Sequence, residues 1–500
     1  MNLKIHLIRF FTFGSIRNIN LIMKNILFIV FAAFLLISCK NQSSETVGSK
    51  KPNIVFILAD DLGYGDLSCY GQKHFQTPNL DKMAAGGMRF TQHYSGTTVC
   101  APSRSSLMTG KHTGHTPIRG NKEWQPEGQW PMKAEAVTVA EILKQAGYTT
   151  GAFGKWGLGF VGTEGDPNQQ GFDEFYGYNC QRLAHNYYPG HLWDNNLKVE
   201  IPENSDDKFG VYAPKLIHER ALQFIEKNKD KPFFLFYANI IPHAELLLPE
   251  ENLAEYRGKF QPENTFKGAQ PGDKYFREGG YGTQPESHAA FAAMVSLLDK
   301  QVGEILGKLK ELGLEKNTLV IFSSDNGPHQ EGGADPDYFD SNGPLKGYKR
   351  DLYEGGIRVP MIAFWEGKIV AGSTSEHISA FWDFLPTVAE VAGAKTPENI
   401  DGISYLPSLL GKEQKQHDYL YWEFHELGGR QALRKGDWKL VSYQVFDPIK
   451  TTIELYNLAE DIGEVNNVAE KHPEIVKELS ELTKTARTEN VDFPFQLPKE

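Results

Sequence analysis

Cysteine is scarce: four occur in 500 residues, at positions 39, 69, 100 and 180. So few in so long a chain exclude a small disulfide-stapled scaffold. Positive charge is also short. The chain has 52 Lys and Arg against 63 Asp and Glu, a formal net charge of −11. A nucleic-acid partner demands the opposite balance, because Lys and Arg hold the phosphates. The sign constrains the surface as a whole; a small anionic substrate needs only a locally positive pocket. The apolar run near the N-terminus, residues 26–38, is 13 residues long. A bilayer crossing takes about 20. Internal repeats are absent.

Lys24 precedes that run, and Leu36-Ile37-Ser38-Cys39 closes it. A positive residue, a short apolar core and small residues before a cysteine form an export segment. The pattern resembles a bacterial lipoprotein signal over residues 1–39, which would leave Cys39 lipidated. The expected location is the bacterial cell envelope, with the membrane reached through the lipid alone. Met23 stands where such a signal starts, so residues 1–22 read as an upstream extension; an uncleaved anchor is the alternative. The polar residues 40–51 read as a flexible tether. Cys69, Cys100 and Cys180 then remain, an odd number in an exported protein, so at least one needs another task.

The rest of the chain is long enough for one large α/β domain, expected over 52–395, and a smaller unit over 396–500. Continuous apolar runs at 54–59, 233–238 and 318–324 read as strands buried on both faces of a parallel sheet. Helical patterns lie between and around them, at 137–146, 213–228, 287–312 and 381–392. Alternation of this kind predicts a mostly parallel, doubly wound sheet flanked by helices. Ligands bind such sheets at the carboxyl ends of strands. Asp60-Asp61, Pro242-His243 and Asp325-Asn326 fall at those ends. Residues 257–287, rich in Gly, Pro and charge, read as a long surface insertion. Short strands at 420–424, 431–434, 438–441 and 453–456, with a helix at 473–486, predict an antiparallel α+β subdomain.

The segment Val99-Cys100-Ala101-Pro102-Ser103-Arg104 places Pro102 in the first turn of a helix, where its missing N–H is harmless. Cys100 then sits at the positive helix end, suited to an anion or to a nucleophile attacking one. Arg104 lies one turn on and can reach the same point. On these residues alone, a structural cysteine beside an exposed arginine fits as well. Asp60, Asp61, Asp325 and Asn326 offer four hard oxygen ligands without His or Cys, a set favouring calcium or magnesium over zinc.

Cys100-x-Pro102-Ser103-Arg104, followed by Leu107-Met108-Thr109-Gly110, resembles the modification signature of the type I sulfatases, which have an alkaline-phosphatase-like fold. The resemblance runs over residues 52–469. It includes Asn53 through Asp66, Gly154-Lys155-Trp156, Pro242-His243, Ser324-Asp325-Asn326-Gly327 and Lys349 ahead of Tyr353-Glu354-Gly355-Gly356-Ile357-Arg358-Val359-Pro360. It implies hydrolysis of sulfate esters on sulfated carbohydrates, with Cys100 oxidised to formylglycine by a sulfatase-maturation enzyme. One calcium ion would be held by Asp60, Asp61, residue 100, Asp325 and Asn326. Arg104, Lys155 and Lys349 would neutralise the ester, and His243 would protonate the leaving oxygen.

One position departs from the pattern. Many sulfatases carry His two residues after the lysine, where this chain has Gly157. That histidine helps eliminate sulfate from the nucleophile. His185, among Arg182, Asn186, Tyr187 and Tyr188, either compensates or contacts the sugar, and substrate contact is the preferred reading. Two alternatives remain: a phosphohydrolase or phosphonate hydrolase of the same fold, and a non-catalytic glycan-binding lipoprotein. The phosphohydrolase reading calls for a second His/Asp cluster, which the sequence does not display.

Overall fold

Residues that are apolar without alternation can only be strands covered on both sides, and three such runs form the centre of the molecule. The computed structural model describes residues 51–496 except 275 and 277–279. The signal read in 1–39, Cys39 itself and the tether up to residue 50 lie outside the described residues. In chain order the strands are β1 (Asn53–Ala59), β2 (Met88–Phe90), β3 (His93–Tyr94), β4 (Thr149–Lys155), β5 (Glu174–Tyr178), β6 (His191–Asp194), β7 (Leu197–Glu200) and β8 (Phe233–Ala238). They continue with β9 (Thr318–Ser324), β10 (Met361–Phe364), β11 (Ser373–Ser375), β12 (Ser379–Ala380), β13 (Leu420–Phe424), β14 (Arg430–Lys435), β15 (Trp438–Tyr443) and β16 (Thr452–Asn457).

Ten strands make one sheet in the order β11-β2-β10-β9-β1-β8-β4-β5-β6-β7. From β9 to β5 all neighbours are parallel, while β10 and β6 run antiparallel to both of theirs. The mostly parallel sheet flanked by helices is as predicted. β1 shows why both faces are covered. Val55, Ile57 and Ala59 pack on one side with helices Pro78–Gly86, Ala213–Lys227 and Ser287–Glu311. Ile54, Phe56 and Leu58 pack on the other with Cys100–Thr109, Val139–Gln145 and Phe384–Ala392. The strand alternation of period two thus feeds two separate cores. No helix among the described residues is long and apolar enough to cross a membrane.

β13 to β16 form the small antiparallel sheet, with the helix Pro473–Thr485 packed on one face through Leu479. Its other face grips the segment leading into Cys100. Trp422 Nε1 donates to Ser95 O at 3.1 Å, and Glu423 O accepts from Thr97 Oγ1 at 3.2 Å. The described residues of 257–286 carry only isolated bridges such as Phe266 to Gln284.

A fully buried ion cluster binds this sheet to the main body. Lys439 Nζ on β15 lies 2.8 Å from Glu354 and 2.9 Å from Glu464. Burial raises the Glu464 carboxyl to about 7, with Glu354 adding to the rise against Lys439. Burial opposes ionisation of Glu354 too, but Lys439, Arg358 and Arg434 outweigh it and hold that carboxyl at about 2. Removing one partner of a buried ion cluster leaves an uncompensated charge. Lys439→Met is therefore expected to lose about 3–5 kcal/mol in chemical denaturation. Because the Glu464 pKa lies above its unfolded value, part of that loss should return as pH falls from 8 towards 5. A loss independent of pH would contradict the charge account.

Candidate active site

The register of two parallel strands creates the centre of the site. β1 and β9 pair from Asn53–Thr318 to Ala59–Ser324, so Asp60 and Asp325 emerge side by side at their carboxyl ends. Asp61 turns with φ +63° and its N–H donates to Asp325 Oδ1 at 3.1 Å. Asn326 Nδ2 donates to Asp61 Oδ1 at 2.7 Å. All four residues are buried.

Cys100 opens its helix, with extended Val99 before it and the N–H of Ala101 donating to Asn121 Oδ1. Its Sγ is 3.4 Å from Asp60 Oδ1 and 4.0 Å from Asp61 Oδ1. Burial pushes the thiol well above its ordinary range, and the nearby carboxylates add to this against Lys155. The thiol stays protonated and is a poor nucleophile. Cys69, Cys100 and Cys180 are all free.

Three cations surround the acids. Arg104 is 1% exposed, which overturns the alternative of an exposed arginine. Its Nε and Nη2 donate to Asp325 Oδ2 at 3.0 and 2.8 Å, and Nη1 donates to Lys155 O. Lys155 ends β4, where Gly154 with φ +120° lets the chain press on β8; a Cβ there would lie 1.9 Å from Ala238 O. Lys155 Nζ reaches Asp60 Oδ2 at 2.7 Å. Lys349 Nζ reaches Asp61 Oδ2 at 2.8 Å, Glu331 Oε2 at 2.9 Å and His243 Nε2 at 3.1 Å.

His243 Nδ1 is bonded to Ala244 O, so Nε2 is the acceptor facing Lys349. Burial first, then Lys349, holds this imidazole well below its usual range, and it is neutral. His185 stacks on it at 4.9 Å and lies tilted against Tyr281 at 5.3 Å. Burial and the two lysines lower His185 to about 4, and its Nδ1 has no partner.

The structure thus brings together Asp60, Asp61, Cys100, Arg104, Lys155, His185, His243, Asp325, Asn326 and Lys349. It adds Glu331, which pairs with both Lys349 and Arg350, and His329, stacked on His243 at 5.6 Å. Both stand in the loop just after Asp325-Asn326, a position that could have signalled them. Two further His/carboxylate groups, not displayed by the sequence, do exist among the described residues: Asp61, His329 and Glu331 beside the site, and His112, His115 and Asp401. Asp401 N donates to Gly110 O at the far end of the Cys100 helix, so that group is about 15 Å from the nucleophile. Next to Cys100, the ammonium of Lys349 fills the space among Asp61, His243 and Glu331 that a second cation would need.

Asp60, Asp61, Asp325 and Asn326 suit a hard divalent cation. Asn326 Oδ1 is buried without a partner. Asp325 is raised to about 7 by burial and the charges of Asp60 and Asp61, in spite of Arg104. Burial also opposes ionisation of Asp61, yet the Lys349 ammonium holds it well below the carboxylate range. An orphaned oxygen beside crowded carboxylates is the donor set of a cation site.

A family profile described as Sulfatase matches residues 52–394, and one described as N-sulphoglucosamine sulphohydrolase, C-terminal, matches 347–489. The chain is 34% identical to human arylsulfatase A, covering 87% of each protein. It is 30% identical to the N-acetylgalactosamine-6-O-sulfatase of Bacteroides thetaiotaomicron, over 91% of this chain and 97% of that one. The crystal structure of Ps i-CgsB in complex with k-i-k-neocarrahexaose is similar with a TM-score of 0.72 and 28% identity. That likeness covers 89% of this chain and 94% of the other.

Chelator-treated protein should gain thermal stability on adding calcium or magnesium, by about 2.7 kcal/mol at a hundred times the Kd. Without the cation its stability should fall as pH rises through about 7, where Asp325 loses its proton. No shift with either ion would contradict the reading of this cluster.

Proposed function

Because the chain belongs to the sulfatase family and is a sulfuric ester hydrolase, we propose that it desulfates carbohydrates through a formylglycine made from Cys100 and one calcium ion. The observation that carries this reading is the buried thiol of Cys100 at the head of its helix, between two carboxylates and three cations. A protonated thiol offers no chemistry there. A hydrated aldehyde at residue 100 would supply a hydroxyl nucleophile and a second hydroxyl whose loss of a proton releases sulfate. The calcium ion, held by Asp60, Asp61, Asp325, Asn326 and residue 100, would supply positive charge to the sulfuryl oxygens.

The chain's own residues do the rest. Arg104 and Lys155 stand on one side of Asp60, Lys349 on the far side of Asp61, so a sulfuryl group over residue 100 meets a cation from each side. In the free site His243 lacks a proton at Nε2, and Lys349 points its ammonium at that atom. A proton taken up from solvent at Nε2 when the anionic ester binds would make His243 the acid for the departing oxygen, while Lys349 remains an ammonium. His185, stacked on His243, faces the alcohol side of the ester as a sugar contact.

Relatives named for arylsulfates and for N-acetylgalactosamine-6-sulfate, and a structural neighbour holding a carrageenan-type hexaose, support a sulfated carbohydrate as substrate. The phosphohydrolase alternative is weakened by Lys349, which fills the place of a second metal. The non-catalytic alternative is weakened by three buried cations converging on Cys100. The same reading takes 52–395 as the catalytic domain and 396–500 as its C-terminal support. It also makes Cys39 the lipidated residue, the cell envelope the location and a sulfatase-maturation enzyme the partner, on the strength of residues 24–39 and the Cys100 signature. Metabolic labelling with palmitate should mark the wild type and leave Cys39→Ala unmarked.

After co-expression with a maturation enzyme, mass spectrometry of the Cys100 peptide should show the thiol sulfur lost and an aldehyde oxygen gained. Cys100→Ala should release sulfate from a panel of sulfated sugars at least about a thousandfold more slowly. An unmodified thiol in fully active protein would overturn the mechanism.

A further inference from the structure

Gly157, two residues beyond Lys155, has no side chain, and another side chain fills the space beside it. The backbone there has φ +75°, and a Cβ added to Gly157 would meet Gln181 Nε2 at 2.0 Å. In this arrangement the Gln181 carboxamide occupies the space that a side chain at 157 would take, and a larger residue there would displace it. Gln181 is 6% exposed, and neither Nε2 nor Oε1 of its carboxamide has a partner. Asn179, whose carbonyl accepts from Gly157 N at 3.0 Å, is in the same condition at both Oδ1 and Nδ2. Four amide atoms in two neighbouring buried side chains thus stand unpaired.

Leaving a buried polar atom unpaired costs about 1–3 kcal/mol, and native interiors rarely do so. The cost is tolerated where a ligand completes the bonds. The surroundings identify that ligand. Gly157 lies two residues beyond Lys155, whose Nζ touches Asp60. Gln181 N donates to Gln129 Oε1 at 3.2 Å, and Gln129 belongs to the turn in which Trp130 N donates to Lys122 O. Asn121, at the root of that turn, holds the N–H of Ala101 next to Cys100. The Gln181 backbone is therefore tied to the turn beside the nucleophile helix, and its carboxamide lies against Gly157, two residues beyond the lysine.

We propose that Gln181 is a substrate-contacting, specificity-determining residue, an inference that rests on the sulfatase reading of the site. Nε2 donates to a sulfuryl oxygen, which can only accept. Oε1 needs a donor, and a free hydroxyl of the carbohydrate beside the ester supplies it. Asn179 supports the same contact. An amide does not titrate, so this contact is equally available across the working pH range, unlike an imidazole at 157.

Gln181→Met tests this, because it keeps the volume and removes the unpaired amide. The melting temperature should be unchanged or higher, while inorganic sulfate, measured by calorimetry with calcium present, binds about tenfold more weakly. Turnover of a sulfated hexose should fall tenfold or more in kcat/KM, and that of an aryl sulfate, which lacks the hydroxyl, should fall less. Gln181→Glu, nearly isosteric, should weaken sulfate binding further by placing negative charge against the anion. Melting that drops with sulfate binding and turnover unchanged would mean a purely structural amide and overturn the proposal. If Gln181→Met fails to fold, wild-type sulfate affinity in Gln181→Glu overturns it equally. Wild-type protein that binds sulfate but hydrolyses neither ester would contradict the proposed function, with the affinities still deciding the role of Gln181. Wild-type protein that binds no sulfate would overturn both.

Discussion

Six charges buried at one point govern this structure. Asp60, Asp61 and Asp325 face Arg104, Lys155 and Lys349, and none of the six is more than 9% exposed. Charges removed from water persist only if neighbours of opposite sign and hydrogen bonds replace the solvent. With all six ionised, three acids against three bases balance to zero, and Asp325, raised to about 7, is the acid among them that titrates near neutrality. A divalent cation would take the group to about +2, and an anionic ester then enters a positive pocket. A chain of net charge −11 can in this way bind an anion: the local sum at the strand ends decides, and the surface does not.

The fold exists to hold that balance in register. Asp60 and Asp325 adjoin because β1 and β9 pair in parallel to their last residues. Lys155 arrives on β4, two strands from β1, and Arg104 from the helix that Cys100 opens. The small C-terminal sheet fixes the approach to that helix through Trp422 and Glu423. The buried Lys439 cluster then fastens Glu354, on the motif that follows Lys349, to the same sheet. The small C-terminal sheet is thus part of the support of the site.

Much of this was legible in the sequence, for reasons that differ by element. β1, β8 and β9 each carry an unbroken apolar stretch because both faces are buried, and their positions follow from composition. The long helix Ser287–Glu311 and the meander β13 to β16 were similarly visible from period and turns. β2, β10 and β11 have three or four residues each and carry no period to detect. The principal charged site residues were legible through their spacing in known motifs. Glu331 and His329 were not, because they lie in an irregular loop and acquire meaning only from Lys349 and His243 beside them. Gln181 was invisible for a different reason. Its position follows from a side chain that Gly157 does not have, and only three-dimensional packing shows which neighbour takes the space. The His112, His115 and Asp401 group likewise joins residues nearly three hundred positions apart.

The central claim is that the six-charge cluster binds a divalent cation and, through it, an anion. Linkage measures this directly: calcium affinity by calorimetry with and without inorganic sulfate. The account predicts that each ligand tightens the other by the same factor, about tenfold or more. Equal calcium affinity in the presence and absence of sulfate, with sulfate binding undiminished in chelated protein, would contradict it.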